Sequence, residues 1–144
     1  TMKSTIVAIL LFLTLVSCSN NSNENENCRF LLDIGINEVV NLNLPQYSQL
    51  QFAGNSVYIP NAGNGGILIA STGADFFAWD AADPNHVQSA CSVLVNSGLN
   101  ATCGCPDKNE YSLVNGLPLN NSALRCGLRN YRVEKSGNTL LISN

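Results

Sequence analysis

The stretch 103–119 constrains the fold more than any other part of the chain. Two cysteines one residue apart, Cys103 and Cys105, stand in a short loop with glycine and proline. A strand pattern follows at residues 110–114, and Asn115-Gly116 then gives a strong signal for a tight hairpin turn. A strand, a cysteine loop, a second strand and a turn are typical of a metal or redox loop in a small β domain.

Short apolar or alternating segments, separated by turn residues, fill the rest of the chain. Residues 38–44 alternate between apolar and polar side chains, and residues 67–70 form a short apolar run typical of a buried strand. One helical turn is expected at residues 45–50, where proline stands first. The other predicted strands are at residues 30–36, 57–59, 76–79, 91–95, 99–102, 128–135 and 139–142. About eight to ten short strands indicate an all-β fold, a small sandwich or barrel.

A polar loop is predicted to face the cysteine loop. It runs through Asp83, Asn85 and His86, and His86 is the only histidine of the chain. A loop histidine without a neighbouring nucleophile motif does not indicate a catalytic base. The acidic residues of the two loops are expected to be solvated charges rather than a carboxylate pair or a calcium site: Asp80, Asp83, Asp107 and Glu110.

The N-terminus, residues 1–17, is predicted to be a lipoprotein signal peptide. Lys3 gives a positive start, and residues 6–16 form an apolar run that is too short to span a bilayer, which needs about 20 apolar residues. The run ends at Ser17-Cys18, which resembles the bacterial lipobox. We therefore expect Cys18 to be lipidated and to anchor the protein in the membrane. An ordinary signal peptide with a nearby cysteine is the alternative.

Residues 18–27 are predicted to be the lipidated cysteine and a flexible tether of Ser, Asn and Glu, which cannot pack into a core. Ser19 is not the aspartate that signals inner-membrane retention in some bacteria, which favours an outer-membrane lipoprotein facing the periplasm or the cell surface. Residues 28–144 are enough for one domain. The net charge is −3, and no basic stripe is present, so nucleic acid is not an expected partner.

The motifs of this domain occur in a recognisable order: Phe76-x-Ala78-Trp79, the loop 83–86, Cys103-x-Cys105, Glu110-Tyr111-Ser112-Leu113 and Leu128-x-x-Tyr131-x-Val133. In this order they resemble the Rieske iron–sulfur domain family, and more closely the small Rieske-like lipoproteins of the Bacteroidota. The resemblance covers nearly all of the chain from about residue 30 onward. It implies stacked antiparallel sheets and a smaller subdomain in which two loops grip a 2Fe-2S cluster.

The resemblance also implies which positions would hold the cluster. In the family, C-x-H in one loop and C-x-x-H in the other supply two cysteines to one iron and two histidines to the other iron. Here Cys103 matches a ligand cysteine, and Cys105 matches the cysteine of the family's inter-loop disulfide. The remaining positions that match the cluster loops hold Asp83, Asn85 and Pro106, with His86 one residue too late. A chain with one histidine cannot supply two, so we expect no ordinary Rieske cluster in a single chain.

The cysteines leave two alternatives open. Three thiolates and one imidazole could hold zinc or an iron–sulfur cluster through His86, Cys91, Cys103 and Cys105. Disulfides are favoured over a metal because cysteines of small exported domains usually pair. Cys91 with Cys105, or with Cys103, would join the two cluster loops, and Cys28 with Cys126 would tie the first strand to a late one. An odd cysteine is then left over, and Cys103 is predicted to be the free one.

Three functions follow from these observations. The favoured expectation is a membrane-anchored lipoprotein that has lost most 2Fe-2S ligands, is not an enzyme, and has a structural or binding role with an unknown protein partner. The first alternative is electron transfer through a 2Fe-2S cluster, as the family resemblance implies. The second is thiol–disulfide exchange at Cys103 and Cys105, because a C-x-C pair can form an easily reduced disulfide.

Overall fold

The computed structural model describes residues 28–144. The predicted signal peptide, the predicted lipidation site Cys18 and the predicted tether lie outside the described residues. Within residues 28–144, no helix has the length and apolar character needed to cross a membrane.

Six strands form the larger sheet, which is antiparallel throughout. Its spatial order is β1-β9-β8-β4-β3-β2, so the N-terminal strand pairs with the C-terminal one. The strands are β1 (Asn37–Asn41), β2 (Asn55–Ile59), β3 (Ile67–Ser71), β4 (Phe76–Asp80), β8 (Asn130–Ser136) and β9 (Thr139–Ser143). Tight turns at glycine connect several of these strands, as the sequence predicts.

Three shorter strands form a second antiparallel sheet in the order β5-β6-β7. They are β5 (Leu94–Ser97), β6 (Asn100–Cys103) and β7 (Glu110–Ser112). The β5–β6 register places Leu94 opposite Cys103, and the β6–β7 register places Ala101 opposite Tyr111. This pairing brings the cysteine loop between β6 and β7 beside the entrance to β5.

Strand β3 lies between two hydrophobic cores, which explains its unbroken apolar run. Ile67 and Ile69 pack into the first core, whereas Leu68 and Ala70 pack into the second. All five residues of β3 are buried. The second core joins the two sheets, because it also contains Leu94, Ala101, Tyr111 and Leu113 of the smaller sheet and its flanking turn. The all-β fold of antiparallel sheets predicted from the sequence is therefore confirmed.

Three local predictions differ from the structure. Residues 30–36 form no strand, because side-chain amides hold this segment: Asn64 bonds to the backbone of Leu32, and Asn144 bonds to Ile34 and Ile36. The predicted turn at residues 45–50 becomes a 3₁₀-helix, Ser48–Gln51. Strand β5 begins at Leu94 rather than at residue 91, because the chain first turns through a hydrogen bond from Ser92 N to Ser89 O.

Candidate functional site

Two loops of the smaller sheet lie side by side and carry every position predicted for the cluster. The first loop leads from β4 to β5, and the second connects β6 to β7. A disulfide between Cys91 and Cys105 joins them, with the two Cα atoms 4.8 Å apart. A second disulfide joins Cys28 to Cys126. Both pairings are among those predicted from the sequence. The structure also brings the regions of Asp83 and Cys103 together, as expected.

Asp83, which the resemblance matches to a cluster-ligand cysteine, is completely buried. Its Oδ1 accepts hydrogen bonds from the hydroxyl of Tyr111 at 2.5 Å and from the backbone N–H of Asn85 at 2.9 Å. Its Oδ2 accepts one from the side-chain amide of Asn109 at 2.9 Å. Buried charged groups need such partners, because an unpaired carboxylate away from water is strongly unfavourable. We call these four residues the Asp83 network.

Asn85, which the resemblance matches to a cluster-ligand histidine, extends the network to the segment around Cys126. Its amide nitrogen donates to the Tyr111 oxygen at 2.7 Å and to the carbonyl of Cys126 at 2.8 Å. Its amide oxygen accepts from the Cys126 backbone N–H at 3.1 Å. Asn85 is therefore both donor and acceptor to the backbone of Cys126, the residue that forms the disulfide with Cys28.

Tyr111 lies at the centre of the Asp83 network. Alternation along β7 points it inward, and it is completely buried. Its hydroxyl donates to Asp83 and accepts from Asn85, so both partners fix its orientation. Burial raises the pKa of Tyr111 far above its ordinary value, and the hydrogen bond to the Asp83 carboxylate raises it further.

Cys103 is the free cysteine of the described residues and is buried. Burial raises the pKa of its thiol to about 11, and the nearby Asp83 adds to the shift. Its Sγ lies 3.8 Å from the backbone carbonyl of Cys91. A buried thiol with this pKa stays protonated at neutral pH and is a poor nucleophile.

His86 lies at the edge of the paired loops. Its Nδ1 is 2.7 Å from the backbone oxygen of Val87 and 3.9 Å from the Sγ of Cys105. Pro106, at the other histidine position of the cluster, is exposed and has no group that can bind a metal. His86 is therefore the one imidazole near the loops.

The arrangement does not fit a 2Fe-2S cluster of the Rieske type. Such a cluster needs two thiolates and two imidazoles. Of the four positions, only Cys103 keeps a ligand side chain, while Asp83 and Asn85 are bound within the protein and Pro106 has no donor atom. The rearranged site predicted from His86, Cys91, Cys103 and Cys105 has its two paired sulfurs bonded to each other.

The cysteine pairing in the structure also differs from the pairing that the thiol–disulfide hypothesis requires. It requires a bond between Cys103 and Cys105, but Cys105 is bonded to Cys91, and Cys103 is a free thiol. Cys105, which the resemblance matches to the disulfide cysteine, is therefore paired with Cys91, and Cys103 is the unpaired thiol, as the sequence predicts.

The expectation that the loop acids are solvated is wrong for Asp80 as well as for Asp83. Asp80 is completely buried and accepts five hydrogen bonds. The donors are the Tyr131 hydroxyl, the backbone and side-chain amides of Asn64, and the backbone N–H groups of Gly65 and Ala82. The position of Asp80 in the sequence could have indicated its burial. Asp80 ends a buried strand, where the loops converge and backbone N–H groups without a strand partner need acceptors.

Comparison with solved structures shows the fold. One match is the complex of reduced oxygenase and oxidised ferredoxin in carbazole 1,9a-dioxygenase, with a TM-score of 0.50 and 14% identity over 78% of this chain and 94% of that chain. Another is the ferredoxin of carbazole 1,9a-dioxygenase from Nocardioides aromaticivorans IC177, with a TM-score of 0.48 and 16% identity over 76% of this chain and 96% of that chain. No protein-family model and no curated protein matches the sequence. The first of these likenesses, together with the stacked sheets and paired loops, identifies a Rieske-like ferredoxin fold.

Proposed function

We propose that the chain is a membrane-anchored lipoprotein whose Rieske-like domain works without a 2Fe-2S cluster and has a structural or binding role. The observation that carries this proposal is the Asp83 network. It fills two of the four cluster-ligand positions, Asp83 and Asn85, with groups that satisfy one another, and among residues 28–144 no buried side-chain nitrogen or oxygen lacks a partner.

Electron transfer through a cluster is disfavoured by the same contacts. To bind iron, Asp83 would have to give up hydrogen bonds to Tyr111 and Asn109, and each such bond to a charged group is worth about 1.5–3 kcal/mol. Asn85 would also have to release the backbone of Cys126. Neither residue carries the imidazole or thiolate whose bond to iron would compensate for the lost hydrogen bonds.

A binding role is supported by the surface that the paired loops present. Val87 in the first loop is 62% exposed and lies four positions before Cys91 of the inter-loop disulfide. An exposed apolar side chain on a loop that a disulfide holds can pack against a partner protein with little loss of conformational entropy. The proposed partner is another protein of the same compartment. The lipid on Cys18 would keep the domain at the outer membrane, on the periplasmic or the outer face.

The cluster part of the proposal is tested by reconstitution. The purified full-length chain is incubated anaerobically with iron and sulfide, and its iron content, visible spectrum and EPR signal after reduction are measured. We expect no stoichiometric iron. A variant that restores the family pattern through Asp83→Cys, Asn85→His and Pro106→His is the matched comparison, and it should gain colour. A stoichiometric cluster in the unaltered chain would refute the proposal.

The anchor is tested separately by mass spectrometry of the protein expressed in a bacterial host. We expect the mature N-terminus to be an acylated Cys18, and we expect the protein in the membrane fraction. The Cys18→Ala variant should lack the acyl mass. An unmodified mature chain in the soluble fraction would show that the lipobox interpretation is incorrect while leaving the cluster result intact.

A further inference from the structure

Three metal-binding atoms meet where the two loops are cross-linked. A ring nitrogen of His86 and the Sγ atoms of Cys91 and Cys105 all lie within 4.8 Å of one another, and the Nδ1 of His86 is 3.9 Å from the Sγ of Cys105. The ligands of one tetrahedral zinc ion, at bond lengths of about 2.0–2.3 Å, are separated by roughly 3.3–3.8 Å. Once the two sulfurs are no longer bonded to each other, they would have to move apart to this spacing, which rotation of the Cys91 and Cys105 side chains can supply.

The disulfide prevents this arrangement in the oxidised chain. A thiolate, not a disulfide sulfur, is the zinc ligand, and the two sulfurs are bonded to each other. We propose that reduction of the Cys91–Cys105 disulfide creates a zinc site formed by His86, Cys91 and Cys105. Two thiolates and one imidazole are a donor set that zinc prefers, and three protein ligands leave the fourth position to water.

The chemistry balances with a dithiol as the reductant. A dithiol gives two electrons and two protons to the Cys91–Cys105 bond and becomes a disulfide itself, which leaves two thiols on the chain. Zinc then displaces one proton from each thiol. The Nδ1 of His86 binds as the neutral ring, so the ring proton lies on Nε2 and the contact from Nδ1 to the Val87 oxygen is exchanged for the metal bond.

Access and charge both favour the site. Cys91 is exposed and His86 is partly exposed, so a reductant and a hydrated ion can reach the disulfide. Cys105, in contrast, is buried in the second core, which fixes its position. The carboxylate of Asp107 lies within 4.8 Å of the Cys105 sulfur. A negative charge at this distance stabilises a bound cation.

The chain contains its own control. The Cys28–Cys126 disulfide also yields two thiols on reduction. In the part of the chain that the structure describes, however, neither cysteine belongs to a group of three or more His, Cys, Asp or Glu residues close enough to hold a metal. Only one of the two disulfides should therefore acquire zinc affinity.

The test is a zinc titration of the metal-free full-length chain, oxidised or reduced with a phosphine, in competition with a chromogenic zinc indicator. We expect one zinc per reduced chain, bound on the order of a hundredfold more tightly than by the oxidised chain. Cobalt in place of zinc should give a tetrahedral spectrum with thiolate charge-transfer bands only after reduction. Equal affinity in both redox states would overturn the proposal.

Variants distinguish zinc binding at this site from non-specific zinc binding by the other thiols of the reduced chain. His86→Ala keeps both disulfides and should weaken binding by the reduced chain at least about tenfold. Cys28→Ser/Cys126→Ser should keep the reduced-state site, whereas Cys91→Ser/Cys105→Ser should lose it although three other thiols remain in the domain. Undiminished binding by His86→Ala, or equal binding by the two double variants, would show that the three residues do not form the site. Neither result depends on whether the chain binds iron.

Discussion

Replacing Tyr111 by phenylalanine removes one oxygen atom from the centre of the Asp83 network and changes little else. The ring stays in the second core, so the apolar packing is retained. Asp83 loses its shortest hydrogen bond, at 2.5 Å, and keeps those from Asn85 and Asn109. The amide of Asn85 loses one acceptor and keeps the carbonyl of Cys126.

The expected cost of Tyr111→Phe is about 2–3 kcal/mol of unfolding free energy, because a hydrogen bond to a charged group is worth about 1.5–3 kcal/mol and the carboxylate stays buried. Tyr58→Phe is the matched control: the Tyr58 hydroxyl donates to the Gly65 carbonyl at 2.9 Å, but the side chain is 42% exposed. Water can replace that bond, so the control should cost at most about 0.5 kcal/mol.

The assay is urea unfolding of the full-length chain without reductant, followed by tryptophan fluorescence. The single Trp79 is a suitable reporter because its Nε1 donates to the carbonyl of Leu113, two residues from the mutated site. The midpoint for Tyr111→Phe should fall by roughly 1 M or more, while that of Tyr58→Phe should hardly move. If the two variants shift equally, the Asp83 network does not stabilise the loops and the central argument for a cluster-free site fails.

Three further predictions concern the neighbourhood of the network. Gly116→Ala should destabilise the domain by about 1–3 kcal/mol more than Gly137→Ala in the same urea assay, because both have positive φ but a Cβ at Gly116 would lie 2.6 Å from the Trp79 ring. Cys103 should be alkylated at least about a hundredfold more slowly in the folded chain than in urea at pH 8, measured by mass spectrometry, because it is buried and protonated. Stability should fall as the pH rises from 9.0 to about 11, since the unfolded thiol of Cys103 ionises first and the folded one retains its proton; Cys103→Ala should lose less stability over this interval.

The fold could be predicted from the sequence because strand patterns and turn residues agree along most of the domain. The run 67–70 has no polar position, and such a run predicts a strand covered on both faces, as β3 is. The failures occur where side chains replace backbone pairing. Nothing in the apolar pattern of residues 30–36 shows that Asn64 and Asn144, both distant in sequence, take up its backbone groups.

The site was harder to predict because its contacts join residues far apart in the chain. Alternation in β7 does place Tyr111 inward, but no local rule pairs it with Asp83, 28 residues earlier. An aspartate in a polar loop is predicted to be a solvated charge, and only the structure shows that Asp83 is completely buried. Composition gave the firmer result: a chain with one histidine cannot by itself supply the two histidines of a Rieske cluster, whatever its fold.

In the proposed cluster-free domain, a disulfide and hydrogen bonds connect the two loops. The Cys91–Cys105 disulfide closes a loop of about 15 residues, which is worth about 3 kcal/mol in the chain-entropy description. Asn109 and Tyr111 each add a hydrogen bond across the same gap to Asp83, at about 1.5–3 kcal/mol apiece. Their sum is comparable with the whole stability of a small domain. A chain that replaces cluster ligands one at a time can therefore keep its loop geometry, provided that the residue replacing the cysteine accepts the hydrogen bonds that Asp83 accepts.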